Sequence, residues 1–384
     1  MALQQLDTTR HGALRGEVDE RVVEIADTVA THLGTDPDLS VQVAAFHDGQ
    51  KVLDVWGGPH LGEDSLIVPA SVSKNAIGVA VGLLVERGAL GLDDLVADHW
   101  PEFAARGKGA VTVRQLLSHQ AGLPFATDPP LTWDDLLDPH RAARVLAAQR
   151  PQWAPGKAFG YHGVTIGDLA GELVYRVTGQ TLQEFHEAEV RTPFGTEFFL
   201  GLPAGAEERL VAPLPMIPPV AAGGADGPGP DRGRLYWVDP VGDPIDIVRD
   251  ERSWRFGHAA VSATVSARGI AGLLASAVTG VGERPALWSA DTVEQMAQLQ
   301  CRGYDEVLGL PDRAHSIVFQ KQSATFAWGG PRSFGHDGAF GCLGCVDPDT
   351  GVAFGYTIAR GPWPGGADPR AVRLARRLGL LLAR

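Results

Sequence analysis

Between residues 18 and 33 the apolar side chains of Val22, Ile25, Ala26, Val29 and Leu33 fall at spacings that share one helical face. The period then changes to two. Val41, Val43 and Ala45 alternate, Asp48-Gly49 is a type I′ turn signal, and Lys51 to Trp56 runs back, so a β-hairpin is expected here. From Ser73 to Arg87 the stretch SKNAIGVAVGLLVER is apolar on nearly every side, and Gly88 stands where a left-handed C-cap belongs. That pattern predicts a central, buried helix. Residues 92 to 200 are mostly helical in pattern, with Thr112 capping Val113 to His119 and Gly179 closing a helix over Thr165 to Val177.

From 202 to 234 Pro and Gly are too dense for a regular element. The segment reads as a long ordered loop or lid over a site, or as a flexible interdomain linker. A helix is expected over Ala267 to Val278, then strands over Ser316 to Gln320, Phe340 to Val346 and Val352 to Ile358. The last two are joined by a hairpin connection, Asp347 to Gly351. Asp368 before Pro369 is an N-cap with proline at the first helical position, opening a final helix to Leu382. Sheet at both ends with helices between implies an α/β sandwich built from residues 1–90 and 236–384, with 91–235 as an inserted, mainly helical domain carrying the Pro/Gly-rich loop.

Composition narrows the function. The chain of 384 residues is 44% hydrophobic and 21% charged, ordinary for a soluble globular protein. Its net charge of −13 repels phosphate backbones and anionic lipid headgroups, so neither nucleic acid nor a membrane is expected as a partner. Charged residues interrupt Met1 to Arg21 where a secretory signal needs an apolar run, and no window reaches the ~18 apolar residues of a membrane span. A cytoplasmic protein is expected. Three cysteines, an odd number, fit reduced thiols. Cys342 and Cys345 lie three apart on an expected strand, so their thiols diverge and neither a dithiol nor a metal site is anticipated.

The sharpest chemical feature is Ser71-Val72-Ser73-Lys74, opening the buried helix. Three residues apart on a helix, the Ser71 hydroxyl and Lys74 amine share a face. Burial lowers a lysine's pKa and lets it take the serine's proton, while the helix N-terminus favours developing negative charge. The competing reading is a plain N-cap serine. Tyr161-His162-Gly163 precedes the helix at Thr165, and a phenol beside an ammonium can relay protons; Tyr161 also reads as a packed aromatic, and His162 as a bystander. His336-Asp337-Gly338-Ala339 stands directly before a strand, where glycine permits close backbone approach and an N–H can face an oxyanion.

In this order the three segments resemble the serine β-lactamase and penicillin-binding-protein superfamily, with its S-x-x-K, Y-x-N and K-T-G elements. The likeness is greatest to the class C-like branch and the family VIII carboxylesterases. Supporting segments are Val55-Trp56-Gly57-Gly58, Thr112 to His119 with Gly122-Leu123-Pro124, Pro155-Gly156, and Val352 to Tyr356. The resemblance implies a transpeptidase-like fold with an antiparallel sheet. It makes Ser71 the acylated nucleophile, Lys74 and Tyr161 the proton-handling pair, and the N–H groups of Ser71 and Ala339 the oxyanion hole. Two departures bear on substrate: Gly163 replaces the amide-binding Asn, and His336 replaces the K-T-G lysine. His336, Gly338 and Gly163 thus line an expected substrate site, and Trp328 either adds an aromatic wall or is a packed strand-end residue.

The expected activity is cofactor-free hydrolysis of small carboxylic esters through an acyl-serine. The alternatives are acyl transfer to an amine or alcohol, a β-lactamase, or a non-catalytic module that binds a small ligand. No G-x-S-x-G is present, and neither is the G-K-[ST] of a phosphate-binding loop.

Overall fold

A computed structural model describes residues 3–218, 244–324 and 326–383. Its centre is a ten-stranded sheet. In chain order the strands are β1 (Gln4–Gln5), β2 (Arg15–Val18), β3 (Val41–His47), β4 (Gln50–Gly57), β5 (Cys301–Asp305), β6 (Leu310–His315), β7 (Gln320–Lys321), β8 (Phe334–Asp337), β9 (Leu343–Asp347) and β10 (Val352–Ile358). Across the sheet they run β1-β2-β4-β3-β10-β9-β8-β7-β6-β5, each antiparallel to its neighbour. The two ends of the sequence meet mid-sheet, where Val41 faces Ile358 and His47 faces Val352. The turn between β3 and β4 has φ +48° at Asp48 and +77° at Gly49, the positive pair a type I′ turn requires.

Five longer helices frame the sheet: α1 (Val23–Thr35), α2 (Lys74–Glu86), α3 (Thr165–Thr178), α4 (Ala267–Val278) and α5 (Pro369–Leu382). Helix α4 covers β3, β9 and β10, and α5 with α1 covers the opposite face, where the Tyr356 phenol donates to Asp368, the cap of α5, at 2.9 Å. Helix α2 is wedged between α4, α3 and β8, and every residue from Lys74 to Leu84 is buried. This explains why α2 is apolar all round rather than striped. A capping box at Thr112 and Gln115 opens the short helix Val113–Leu117, and Gly179 at φ +74° ends α3.

Three segments differ from the expected pattern. Residues 316 to 319 form the buried connection between β6 and β7 rather than a strand; Ile317, Val318 and Phe319 are apolar because this tip is driven into the core. The run 340 to 346 is broken at Cys342: Phe340–Gly341 leaves the sheet to pair with Gly366–Ala367, and β9 begins at Leu343. Of the Pro/Gly-rich segment, 202 to 218 is described and includes a two-residue strand, Leu210–Val211, paired with Leu66–Ile67. The remainder of that expected loop lies outside the described residues.

Candidate active site

Pro69 and Ala70 lead into a tight turn, Ala70–Ser73, stacked on the N-terminus of α2. Ala70 takes a left-handed φ of +52°, which costs a non-glycine residue on the order of 1–2 kcal/mol. Ser73 holds the turn against that cost. Its hydroxyl donates to Ala70 O at 2.6 Å and accepts from the Ala263 N–H at 3.0 Å. Ser71 is thereby presented at the mouth of the helix while remaining 8% exposed.

Lys74 is fully buried, and its Nζ lies 3.0 Å from Ser71 Oγ, 2.7 Å from Gly163 O and 2.8 Å from Ala260 O. Burial drives its pKa well below the usual lysine value, and the Asp337 carboxylate only partly opposes this. Charge state and geometry act together here. An ammonium would spend its three N–H bonds on these three oxygens, whereas the neutral amine gives two to the carbonyls and turns its lone pair to Ser71. The two carbonyls therefore aim a base at the serine. From the other side the Tyr161 phenol donates to Ser71 Oγ at 2.8 Å, with the Lys74 Nζ 5.0 Å from its ring centroid.

Tyr161 is fixed by groups that carry no motif. Asp305, buried at the end of β5, accepts its backbone N–H at 3.1 Å and those of Val307 and Leu308 at 2.9 and 2.8 Å. Burial nevertheless raises the Asp305 pKa, since the three N–H donors offset only part of the desolvation. His162 donates from Nδ1 to Gly160 O at 2.7 Å and accepts the Leu123 N–H on Nε2 at 2.9 Å, and its own N–H goes to His119 Nδ1 at 3.1 Å. The rings of His119, His336 and His315 lie 5.2, 5.8 and 6.3 Å from that of Tyr161. Burial pushes all four imidazoles down, His162 to about 4, so the phenol sits in a neutral cage.

Opposite the serine turn, the chain leaves β8 at Asp337 and passes Gly338 and Ala339. A Cβ on Gly338 would sit 2.1 Å from Pro69 O, so only glycine lets this segment close on the turn. Among the described residues nothing accepts the Ala339 N–H, which leaves it free for an oxyanion together with the Ser71 N–H at the helix mouth. Asp337 is held by Gln320 Nε2 at 2.7 Å and the Ala367 N–H at 3.0 Å.

A family model described as Beta-lactamase matches residues 25–377. The chain belongs to the beta-lactamase family. Among solved structures it is similar to EstA from Arthrobacter nitroguajacolicus, with TM-score 0.88 and 36% identity over 95% of this chain and 98% of that one. A family VIII carboxylesterase matches with TM-score 0.84 and 30% identity over 95% and 99%. In sequence, the Esterase/beta-lactamase LipL of Mycobacterium tuberculosis is 34% identical over 188 residues, 47% of this chain and 43% of that protein. The chain thus spans less than half the length of the curated relatives it matches.

Against the beta-lactamase family's pattern, the remaining expected site residues fall unevenly. Gly163 contributes its carbonyl to Lys74, and having no side chain it presents none to a ligand. His336 is fully buried behind Tyr161, its Nδ1 donating to Asp337 O at 2.7 Å and its Nε2 without a partner among the described residues. Trp328 is 2% exposed with its ring 5.3 Å from Phe326, and no described contact joins it to Ser71, Lys74 or Tyr161. That placement is compatible with the packed reading of Trp328. His162 is a clamp on the Tyr161 loop rather than a bystander. Among the described residues no helix is long and apolar enough to cross a membrane, and no cluster of three or more His, Cys, Asp or Glu is arranged to hold a metal ion.

Proposed function

We propose that the protein is a serine hydrolase that cleaves small carboxylic esters through an acyl-serine intermediate. The observation that carries this is Ser71 Oγ held between Lys74 Nζ at 3.0 Å and Tyr161 Oη at 2.8 Å, with the lysine buried and its pKa depressed. Ser71 attacks the ester carbonyl as Lys74 takes its proton, and the N–H groups of Ser71 and Ala339 receive the oxyanion. Tyr161 delivers a proton to the departing alkoxide and is recharged from Lys74. Water then enters by the reverse path and releases the acid.

Ester rather than lactam specificity follows from what is missing. A lactam needs an amide donor beside its carbonyl and a cation for its ring carboxylate, and Gly163 and the buried, neutral His336 supply neither. The likeness to EstA and to a family VIII carboxylesterase supports the same reading.

The test is direct. A fluorophosphonate should label Ser71 in intact protein, and Ser71→Ala should lose both label and turnover, by up to ~10⁶-fold in kcat, without unfolding. p-Nitrophenyl acetate or butyrate should be turned over at least ~100-fold better in kcat/KM than penicillin or nitrocefin, equivalent to about 2.7 kcal/mol of transition-state binding. Efficient lactam turnover would overturn the ester assignment. A rate that climbs with added amine or alcohol acceptor would replace hydrolysis by acyl transfer.

A further inference from the structure

The two carbonyls that hold Lys74 come from segments far apart in sequence, and both are tied to one helix. Gly163 O lies just ahead of α3, which begins at Thr165. Ala260 O belongs to a loop before α4 and reaches α3 through a side-chain relay. The Ala260 N–H donates to His258 Nδ1 at 3.3 Å, and His258 Nε2 lies 3.2 Å from Oδ1 of Asp168, in the first turn of α3. Because Nδ1 accepts, the ring proton must sit on Nε2 and be donated to Asp168. His258 and Asp168 are both buried, at 4% and 6% exposure. Close contact is enforced from the helix side, where a Cβ on Gly167 would stand 2.6 Å from His258 Cε1 and 3.0 Å from the Ala260 nitrogen. The His258 backbone is pinned as well: its N–H donates to Ser262 Oγ at 2.9 Å, and its carbonyl accepts the Ser262 N–H at 2.9 Å.

We infer that Asp168 and His258 are positioning residues that hold the Ala260 carbonyl on Lys74 and so aim the lysine lone pair at Ser71. Neither residue touches the reacting atoms. The relay sets the spacing of the two carbonyls by anchoring both to α3, and that spacing fixes which of the amine's directions is left for its lone pair. A neutral amine with only one carbonyl acceptor rotates about its Cε–Nζ bond and loses the serine for much of the time. The inference rests on Lys74 acting as base towards Ser71.

Its test uses the geometry of side-chain amides. Asparagine places an acceptor oxygen where His Nδ1 stands and can keep the Ala260 bond; glutamine reaches the Nε2 position and keeps only the Asp168 bond. With p-nitrophenyl butyrate, His258→Gln and His258→Leu should each lower kcat about tenfold or more, with KM within about twofold. His258→Asn, which keeps the Ala260 bond but loses the tie to Asp168, should recover part of the rate and stay below wild type. The acid limb of the kcat/KM profile supplies a readout that a merely structural role would not move. A carbonyl acceptor favours the ammonium form, so losing it lowers the lysine's pKa and shifts the limb to lower pH in the Gln and Leu variants, with partial return in Asn. The Asn and Gln variants decide the matter even where Leu fails to fold. Equal rates and equal limbs in those two overturn the inference. Labelling of wild-type Ser71 by a fluorophosphonate separates its failure from that of the proposed function: protein that takes no label loses both, and labelled protein with equal variants loses only the relay.

Discussion

Lowering the pH from 7 to 5 is expected to cost the fold about 4 kcal/mol, and the origin of that figure is the set of imidazoles sealed in the core. His119, His162, His186, His315 and His336 are all fully buried, and burial depresses the pKa of each, that of His162 and His186 to about 4. In the unfolded chain each titrates near 6.5. The folded state therefore resists protons that the unfolded state accepts, and stability present above pH 6.5 is lost as the pH falls through it. At pH 5 an unfolded histidine is almost fully protonated while His162 and His186 carry roughly a tenth of a proton, a difference of about 2 kcal/mol each. The other three add in the same direction, while Asp305, whose pKa is raised by burial, works against them. Against a total stability of about 5–15 kcal/mol, such a loss brings the protein close to unfolding. Reversible urea unfolding at pH 7, 6 and 5 measures it, and His162→Gln should show a pH dependence smaller by about 2 kcal/mol. A loss below about 1 kcal/mol in the wild type, or an unchanged dependence in the variant, would refute the reasoning.

Lys74→Ala and Tyr161→Phe should each cost several orders of magnitude in kcat, and the double variant little more, because the two serve one proton path; multiplicative losses would separate them. Lys74→Met should also flatten the rise in stability as the pH climbs towards 10, since burial depresses the wild-type lysine's pKa in the fold while the unfolded chain holds the proton up to about 10.4. Gly338→Ala should lower kcat about 100-fold or more and destabilise by about 1–3 kcal/mol, as its Cβ forces the Ala339 segment away from Pro69; wild-type kinetics would show that the turn can yield.

What could be read from the chain was whatever depends on neighbours in sequence. Ser71 and Lys74 are three residues apart on a helical turn, Asp48-Gly49 needs only its own dihedrals, and Thr112, Gly179 and Asp368 cap helices by local bonds. What escaped was set at long range. Asp305 finds the Tyr161 N–H from the end of another strand, and Ala260 supplies a backbone carbonyl, a group that every residue carries and no pattern distinguishes. His119 and His315 are far apart in sequence and meet only around Tyr161. Residues 316 to 319 misled for a different reason: a buried turn and a buried strand are equally apolar, so hydrophobicity without a period cannot tell them apart.

The pairing of β3 with β10 has a consequence for synthesis. His47 leaves the ribosome roughly 300 residues ahead of its partner Val352, and at about 5–20 residues per second the early hairpin waits on the order of 15 to 60 seconds for the strand that completes the sheet. For most of that interval Ser71 and Lys74 are already made, but Ala339, whose N–H is proposed to complete an oxyanion hole, is not. On the proposed mechanism, a nascent chain therefore carries Ser71 without the means to stabilise the charge that acylation creates, and it stays silent until residues 337 to 339 have been made and folded against the serine turn. The same delay leaves the open edge of β3 available to other strands, so the cell's holding chaperones, rather than the final fold's stability, should govern how much active protein is recovered.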